Sequence, residues 1–287
     1  MTNEMAIILF KACDGAIKKN APKVKSTDLI FDRDHFPSAV FDYIVRFPGC
    51  IDLFLDTKKV FRTESSVAIQ QSIDLLSQII TAIKEKYKIV FRQTLIPWSW
   101  PENRPFLHIY RLLGLLYLEK KDYDNACKTF EEILALNPED NQGVRHILPE
   151  IYLRLHLYDK IIELMKKYPS DGSAELMYGV SLALIKKGEY ERARKLLKDA
   201  IQLYPLIAKL LLRKEQIKLT DEYAFIVVGG RVEAALYVKT YHKFWDGKAL
   251  SILKEFEEDI LKLVAEREKN QLFNEEDLLR DLTKRRK

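Results

Sequence analysis

Two stretches of the chain, residues 107–138 and 174–205, repeat one pattern of apolar and polar positions. In each stretch, large apolar residues spaced three and four apart form one stripe of an amphipathic helix, and a short polar turn follows. A second apolar stripe then carries a small alanine, Ala126 or Ala193, where two packed helices are expected to cross. Pro138 and Pro205 are expected to end the second helices. The pattern therefore predicts two helical hairpins.

Residues 142–171 form a degenerate third unit between these hairpins. Ile161 stands where the other units have the small alanine, and Met165 stands where the first hairpin has an aromatic ring. Pro149 is expected to interrupt the first helix of this unit, and Pro169 is expected to end the second. Three hairpins are about the minimum for a stable stack. The sequence therefore predicts a short stack of three.

The flanks of the repeats are predicted to be helical as well. Residues 66–88 have the pattern of one amphipathic helix, whereas residues 1–62 predict short helices broken at prolines, with a small sheet as the alternative. After the repeats, the expected elements are a helix to about residue 219, an extended stretch over 223–230, helices over 231–245 and 248–269, and a last helix over 275–284 capped by Asn274. The domain plan is an N-terminal extension (1–94), the repeats with their linker (95–219) and a C-terminal extension (220–287).

The repeats resemble a known class. The order aromatic, Leu-Gly, Tyr, Ala, Phe, Pro in residues 107–138 is similar to the tetratricopeptide repeat. Residues 97–106 and 137–145 resemble the PWxWxENRPF and NPxDNQGxR elements of a poorly characterised tetratricopeptide family, which is similar to the suppressor-of-tumorigenicity-7-like proteins. The resemblance covers residues 95–245 and departs from the family at Pro101. It implies an all-α fold, a short tetratricopeptide-like helical-hairpin stack with helical flanks, and no established reaction.

Charge and cysteine content narrow the classes of partner and compartment. Lysines and arginines number 47 against 42 acidic residues, which gives a thinly spread net charge of +5, so no specific nucleic-acid partner is expected. The basic tail 284–287 is typical of a solvated end. The sequence contains no run of 18 apolar residues, so no transmembrane segment is expected. Cys13, Cys50 and Cys127 are odd in number and far apart, which favours a reducing, cytoplasmic location without disulfides and a core position for Cys127.

Polar residues cluster just before the first helices of two successive repeat units. One interpretation is a pocket for a carboxylate or phosphate held bidentately by arginine. The other is a buried network that caps the helices and fixes the linker. The same two alternatives apply to Trp98 and Trp100, which either stack on a ligand or pack against the first repeat helix. The residues of the cluster are Glu102, Asn103, Arg104, Asn141, Gln142 and Arg145.

The first helices of the units predict a groove that binds an amphipathic helix or an extended peptide. The alternative is that the chain's own flanks cover this groove. Some tetratricopeptide domains hold the C-terminal carboxylate of a peptide with a lysine and an asparagine. This sequence does not have that pair at the corresponding groove positions. The groove candidates are His108, Arg111, Leu115, Leu118, His146, Glu150, Tyr178 and Leu182.

Enzymatic signals are weak. No H-E-x-x-H motif, zinc spacing, nucleophile elbow or phosphate loop occurs, so neither a metal nor a cofactor is expected. The run Asp32-Arg33-Asp34-His35 is typical of an exposed turn. The sequence therefore predicts a non-catalytic scaffold or adaptor that binds another protein or peptide, and leaves its oligomeric state open. The alternatives are an enzyme or small anionic-ligand receptor that uses the polar clusters, and a bacterial effector secreted into a host cell.

Overall fold

The computed structural model describes residues 5–23, 36–55, 66–214 and 227–269. The chain divides into two compact units, Met1–Ile151 and Tyr152–Lys287. The first contains β1 (Ala6–Ile7), α1 (Gly15–Lys19), α2 (Ser38–Arg46), η1 (Pro48–Leu53), α3 (Ser66–Lys86), β2 (Thr94–Leu95), η2 (Pro101–Asn103), α4 (Arg104–Glu119), α5 (Tyr123–Leu136) and η3 (Val144–His146), where η marks a 3-10 helix. Helix α6 (Leu148–Arg154) crosses the boundary. The second contains α7 (Tyr158–Lys167), α8 (Ala174–Lys186), α9 (Tyr190–Leu203), α10 (Pro205–Arg213), α11 (Arg231–Tyr241), η4 (His242–Phe244), α12 (Gly247–Lys254) and α13 (257–269).

The all-α hairpin fold is confirmed. In the first unit, α4 and α5 pack as the predicted hairpin, with α3 and η1 also against α4. The crossing is close because Gly114 has no side chain: a Cβ there would lie 2.7 Å from the ring of Phe130. Ala126 is fully buried at the same interface. Asp122 accepts the backbone N–H of Asn125 and so caps α5.

The N-terminal segment of the first unit is held by long-range contacts. Strands β1 and β2 pair in parallel, with Ala6 opposite Thr94. Among the residues that the structure describes, these two strands form the whole β-sheet. Phe10 packs against the rings of Tyr87 and Phe106, at centroid distances of 5.0 and 5.5 Å. The sequence predicted short helices here, with a small sheet as the alternative. The structure contains both, since β1 is followed by short helices and pairs with β2.

A disulfide joins Cys13 to Cys50 in the first unit, with an S–S distance of 2.14 Å. The expectation of a chain without disulfides is therefore wrong, and it no longer supports a reducing compartment. The two cysteines are 37 residues apart in the sequence, and this distance does not indicate that they pair. The residues just before Cys13, β1 and Phe10, make long-range contacts that no helical periodicity encodes. Cys127 lies in the core on α5, as predicted.

In the second unit, α8 and α9 form the other predicted hairpin, and α7 packs on α8. Ala193 is fully buried, as its matched position requires. Helix α9 ends at Leu203, two residues before Pro205, and Pro205 begins α10. The predicted helix over 248–269 is divided in the structure into α12 and α13 by a turn at 255–256.

The degenerate unit consists of the short helices α6 and α7. Pro149 does not interrupt a helix: it lies in the first turn of α6, where a missing N–H costs no hydrogen bond. The preceding residues form η3 instead of continuing the helix upstream. Helix α7 ends at Lys167, before Pro169, as predicted.

Several expectations lie outside the described residues. They concern Asp32 to His35, the stretch over 223–226, the cap at Asn274 and the basic tail 284–287. Within the described ranges, none of the helices combines the length and the apolar character needed to cross a membrane.

Candidate partner-binding surface

Asn103 joins three segments of the first unit. Its side chain is fully buried at the end of η2, and its Oδ1 accepts the N–H of Phe10 at 3.0 Å. Its Nδ2 donates to the carbonyl oxygens of Ile8 at 3.1 Å and Pro97 at 2.9 Å. All of these partners are backbone groups of the protein itself. The hydrogen bonds of Asn103 therefore fix the linker and are not available to a ligand.

Arg104 and the tryptophans form the next layer. The Nε of Arg104 donates to the carbonyl oxygen of Trp98 at 3.1 Å, and its guanidinium lies 5.3 Å from the centre of the Trp98 ring. The ring of His108 also contacts Trp98 in an edge arrangement, with ring centres 5.3 Å apart. Trp100 instead donates through Nε1 to the carbonyl oxygen of Phe10 at 2.9 Å. Trp98 thus lies beside α4, whereas Trp100 holds the N-terminal segment.

Asp140 is a key residue that the sequence analysis missed. Its side chain is fully buried, and its backbone is left-handed with a φ of 51°. Oδ1 accepts the N–H of Val144 at 2.8 Å, and Oδ2 accepts both the N–H and the guanidinium of Arg145, at 2.9 and 3.0 Å. The signal was an aspartate in a turn ahead of Asn-Gln-Gly, a position that favours such backbone bonds. Arg145 is therefore held by Asp140 in a turn-stabilising ion pair.

The remaining polar residues have separate surroundings. Asn141 is exposed and Glu102 is half-buried. Gln142 reaches α4, where its Nε2 donates to the carbonyl oxygen of Leu107 at 3.2 Å. Its buried Oε1 has no hydrogen-bond partner among the described residues. The contacts of Asn103, Asp140 and Gln142 agree with the network interpretation of the polar cluster.

One face of α4 places a partly desolvated cation, Arg111, one turn after a histidine, His108. Burial lowers the pKa of His108, although part of its ring is exposed, and the nearby Asp52 opposes that shift. Burial also lowers the pKa of Arg111, with Asp140 in opposition. Burial raises the pKa of Asp52. The buried Nε of Arg111 has no hydrogen-bond partner within the described ranges. An unpaired buried donor of this kind is costly. Because Nε is enclosed, an incoming acceptor would meet the accessible part of the half-buried Arg111 side chain instead.

The apolar groove candidates of the first unit continue the same side of α4. Leu115 and Leu118 are half-buried, and with His108 and Arg111 they follow the three-and-four spacing of one helix side. We call Trp98, Arg104, His108, Arg111, Leu115 and Leu118 the α4 face. His146 in η3 and Glu150 in α6 are also half-buried.

Tyr178 and Leu182 do not line an open groove. Both are fully buried in α8, which corrects their assignment as surface candidates. The hydroxyl of Tyr178 donates to the carbonyl oxygen of Tyr204 at 2.8 Å, and its ring contacts Tyr237 and Trp245 at 5.4 and 5.8 Å. Burial raises the pKa of Tyr178 well above its usual value. In the second unit the C-terminal flank therefore covers the inner helix, which was the alternative for the groove.

A buried tyrosine and an ion pair join the helices behind the α4 face. Tyr110 on α4 donates to the carboxylate of Glu132 on α5, which also binds Lys84 of α3. Burial and the neighbouring Glu132 raise the pKa of Tyr110. Tyr110 occupies the aromatic position of the first repeat pattern, and the apolar periodicity gives no sign of this polar link. The group makes α3, α4 and α5 one support for the surface.

Comparison with known proteins places the chain in a family. The family model described as Transcriptional repressor TCF25 matches residues 34–284, which include the α4 face and nearly all of the second unit. No curated protein and no solved structure matches the chain. The resemblance to tetratricopeptide and suppressor-of-tumorigenicity-7-like proteins is not supported by a family match, although the helical hairpins are present. Since the matched region covers most of its length, the chain belongs to the family of the transcriptional repressor TCF25.

Proposed function

We propose that this protein is a non-catalytic adaptor that binds another protein through the α4 face. The family description supports a role connected with transcription, carried out in the nucleus or the cytoplasm. The single observation that carries the assignment is the half-buried cation of Arg111 on α4, in line with the half-buried Leu115 and Leu118 on the same helix side. Arg111 stands on α4 one turn after the exposed His108, whose ring contacts Trp98.

The chemistry of the α4 face favours an acidic, amphipathic partner segment. A carboxylate placed at Arg111 would pair with a cation that is already partly desolvated, so less water has to be removed on binding. Leu115 and Leu118 continue the same helix side toward its C-terminus and offer apolar contact. A partner helix with an acidic residue one or two turns from its leucines would match this order.

Protein is a better match than DNA for this surface. Asp52 and Asp140 lie close enough to His108 and Arg111 to affect their pKa values. Positive charge on this face is therefore offset by the protein's own carboxylates, whereas nucleic-acid binders collect basic groups in a stripe. The two leucines also have no counterpart in a phosphate backbone.

Partner capture with a charge-reversed α4 face tests this proposal. The intact protein, Arg111→Glu and the matched control Lys128→Glu, an exposed position on α5, are used as bait, and captured proteins are identified by mass spectrometry. We expect Arg111→Glu to lose specific partners that Lys128→Glu keeps, with melting temperatures measured for all three. An identical partner set for all three proteins would contradict the proposal.

A second variant separates the adaptor from the enzyme or receptor alternative. Arg104→Ala removes the cation next to Trp98 but keeps Arg111. A turnover activity that disappears in Arg104→Ala, at unchanged melting temperature, would replace the adaptor assignment with an enzymatic one. Weaker partner capture without any turnover supports the adaptor.

A further inference from the structure

A second candidate site lies wholly within the second unit, where α10, α11, η4 and α12 enclose a cavity of about 500 Å³. Its inner walls are apolar, and Leu210, Val238 and Trp245 among them are almost fully buried. Leu211 and Leu250 complete this lining. The volume falls within the range of about 300–1,000 Å³ typical of ligand-binding cavities. The walls therefore offer room for large apolar groups.

The mouth of the cavity is basic. Lys214 at the end of α10 and His242 and Lys243 of η4 line it and are exposed. His242 donates through Nδ1 to the carbonyl oxygen of Val238 at 2.9 Å, if that nitrogen carries the proton, and this bond orients the ring. Three side chains that can carry positive charge thus stand on two separate elements around an apolar interior.

The acidic residue among the lining, Asp246, is already engaged. Its carboxylate binds Lys186 and accepts the N–H of Ala249 at 3.1 Å, which caps α12. The bond from Lys186 holds the pKa of Asp246 below its usual value. Asp246 therefore adds little repulsion toward an incoming anion, and the mouth keeps its positive character.

We propose that this cavity binds a peptide segment of a partner protein in which large apolar residues are flanked by acidic ones. The apolar side chains enter between Leu210, Val238 and Leu250, and the carboxylates meet the basic mouth. A free fatty acid would supply one carboxylate, whereas the basic side chains are spread over α10 and η4 and match several. The cavity is distinct from the α4 face, which belongs to the first unit, so either assignment can fail alone.

The test uses fluorescence anisotropy with a fluorescein-labelled nine-residue peptide that carries leucine and phenylalanine between aspartates and glutamates. Gly247 lines the cavity, and a Cβ there would meet no atom within 4 Å. Gly247→Phe therefore has room for its first side-chain carbon and adds a ring at the wall of the cavity, so it is expected to weaken binding at least tenfold, with its melting temperature measured alongside. Gly247→Ala is the matched control, with binding and melting temperature close to those of the intact protein.

Charge reversal gives a second measurement. The double variant Lys214→Glu and Lys243→Glu is expected to weaken binding at least tenfold. The control, Lys195→Glu with Lys198→Glu, changes the charge equally at exposed positions on α9 and is expected to change affinity less than twofold. Arg111→Glu alters the α4 face and leaves every residue that lines the cavity in place, so the peptide binding that persists in this variant is assigned to the cavity.

Three results would overturn the proposal. The first is equal affinity of Gly247→Phe and the intact protein for the labelled peptide. The second is equal affinity for a peptide whose leucine and phenylalanine are replaced by alanine, since that would mark a purely electrostatic patch. The third is binding of decanoate without binding of the peptide, which would assign the cavity to a small amphiphile.

Discussion

Buried amide and carboxylate side chains organise the turns of the first unit residue by residue. Asn103 satisfies three backbone groups of the linker and the N-terminal segment, and Asp140 satisfies two backbone N–H groups and Arg145. Such groups are costly to bury unless they are paired, and here the pairs are complete. Arg111 differs because its buried Nε lacks a partner among the described residues.

Two asparagines of the polar cluster should respond differently to the same change. Asn103→Ala removes one acceptor and two donated bonds from a buried site, so we expect a loss of at least about 2 kcal/mol in the free energy of unfolding. Asn141→Ala changes an exposed side chain and should stay within about 0.5 kcal/mol of the intact protein. Urea unfolding measures both. Equal stability of the two variants would show that the Asn103 network does not hold the linker.

At the scale of elements, the hairpins α4–α5 and α8–α9 pack at the same helix crossing with different pairs of residues. The first uses Gly114 on α4 against the ring of Phe130 on α5. The second has Ser181 on α8 at the matched position, whose buried hydroxyl donates to the carbonyl oxygen of Met177 at 3.0 Å, and the smaller Leu197 on α9. A larger residue on one helix is thus accompanied by a smaller one on the other.

Gly114→Ala should reveal this pairing. Alanine favours a helix over glycine by about 1 kcal/mol at most, but its Cβ would lie 2.7 Å from a ring that is fully buried and has no free space to move into. We expect a net loss of about 1–3 kcal/mol in the free energy of unfolding, measured by urea titration. In a Phe130→Leu background the same substitution should become neutral or stabilising. A loss that is the same in both backgrounds would exclude the ring as its cause.

Helices with strong periodicity could be predicted from sequence because the signal is local. The hairpins α4–α5 and α8–α9 and the long helix α3 were found in this way. The parallel pair β1–β2 and the disulfide were not, since each joins residues far apart in the chain without a motif. Pro149 was misplaced because a proline is unfavourable inside a helix but acceptable in its first turn.

The candidate sites were predictable to a smaller extent. Arg111 was found because it follows the three-and-four spacing that marks one side of α4. Tyr178 has the same periodic signal, yet the chain's own flank buries it, and helical spacing cannot say whether a neighbour is another protein or the same one. Asp140 was hidden within a motif, and the cavity of the second unit is built from residues spread between 210 and 250.

For the whole molecule, the disulfide is the covalent tie of the described N-terminal region. It joins the segment that carries β1 and Phe10 to η1, which packs on α4. Because Cys13 and Cys50 are 37 residues apart, closing this loop restricts the unfolded chain considerably. The first unit thus has a redox-dependent contribution to its stability.

Reduction should therefore destabilise the intact protein. The chain-entropy estimate for this loop is about 3–4 kcal/mol. Urea unfolding with and without reductant measures it, and the double variant Cys13→Ser with Cys50→Ser serves as the control because reductant should not affect it. Reductant-insensitive unfolding of the intact protein would show that the disulfide does not form in solution.

The covering of Tyr178 by Tyr237 and Trp245 has a consequence for synthesis on the ribosome. The apolar side of α8 is translated about 60 residues before the rings that cover it. At a translation rate of about 5–20 residues per second, this side of α8 stays exposed for several seconds before the covering rings are made. The nascent chain therefore passes through a stage that is prone to aggregation and would be a natural client of a chaperone, and rare codons between 187 and 236 would prolong it.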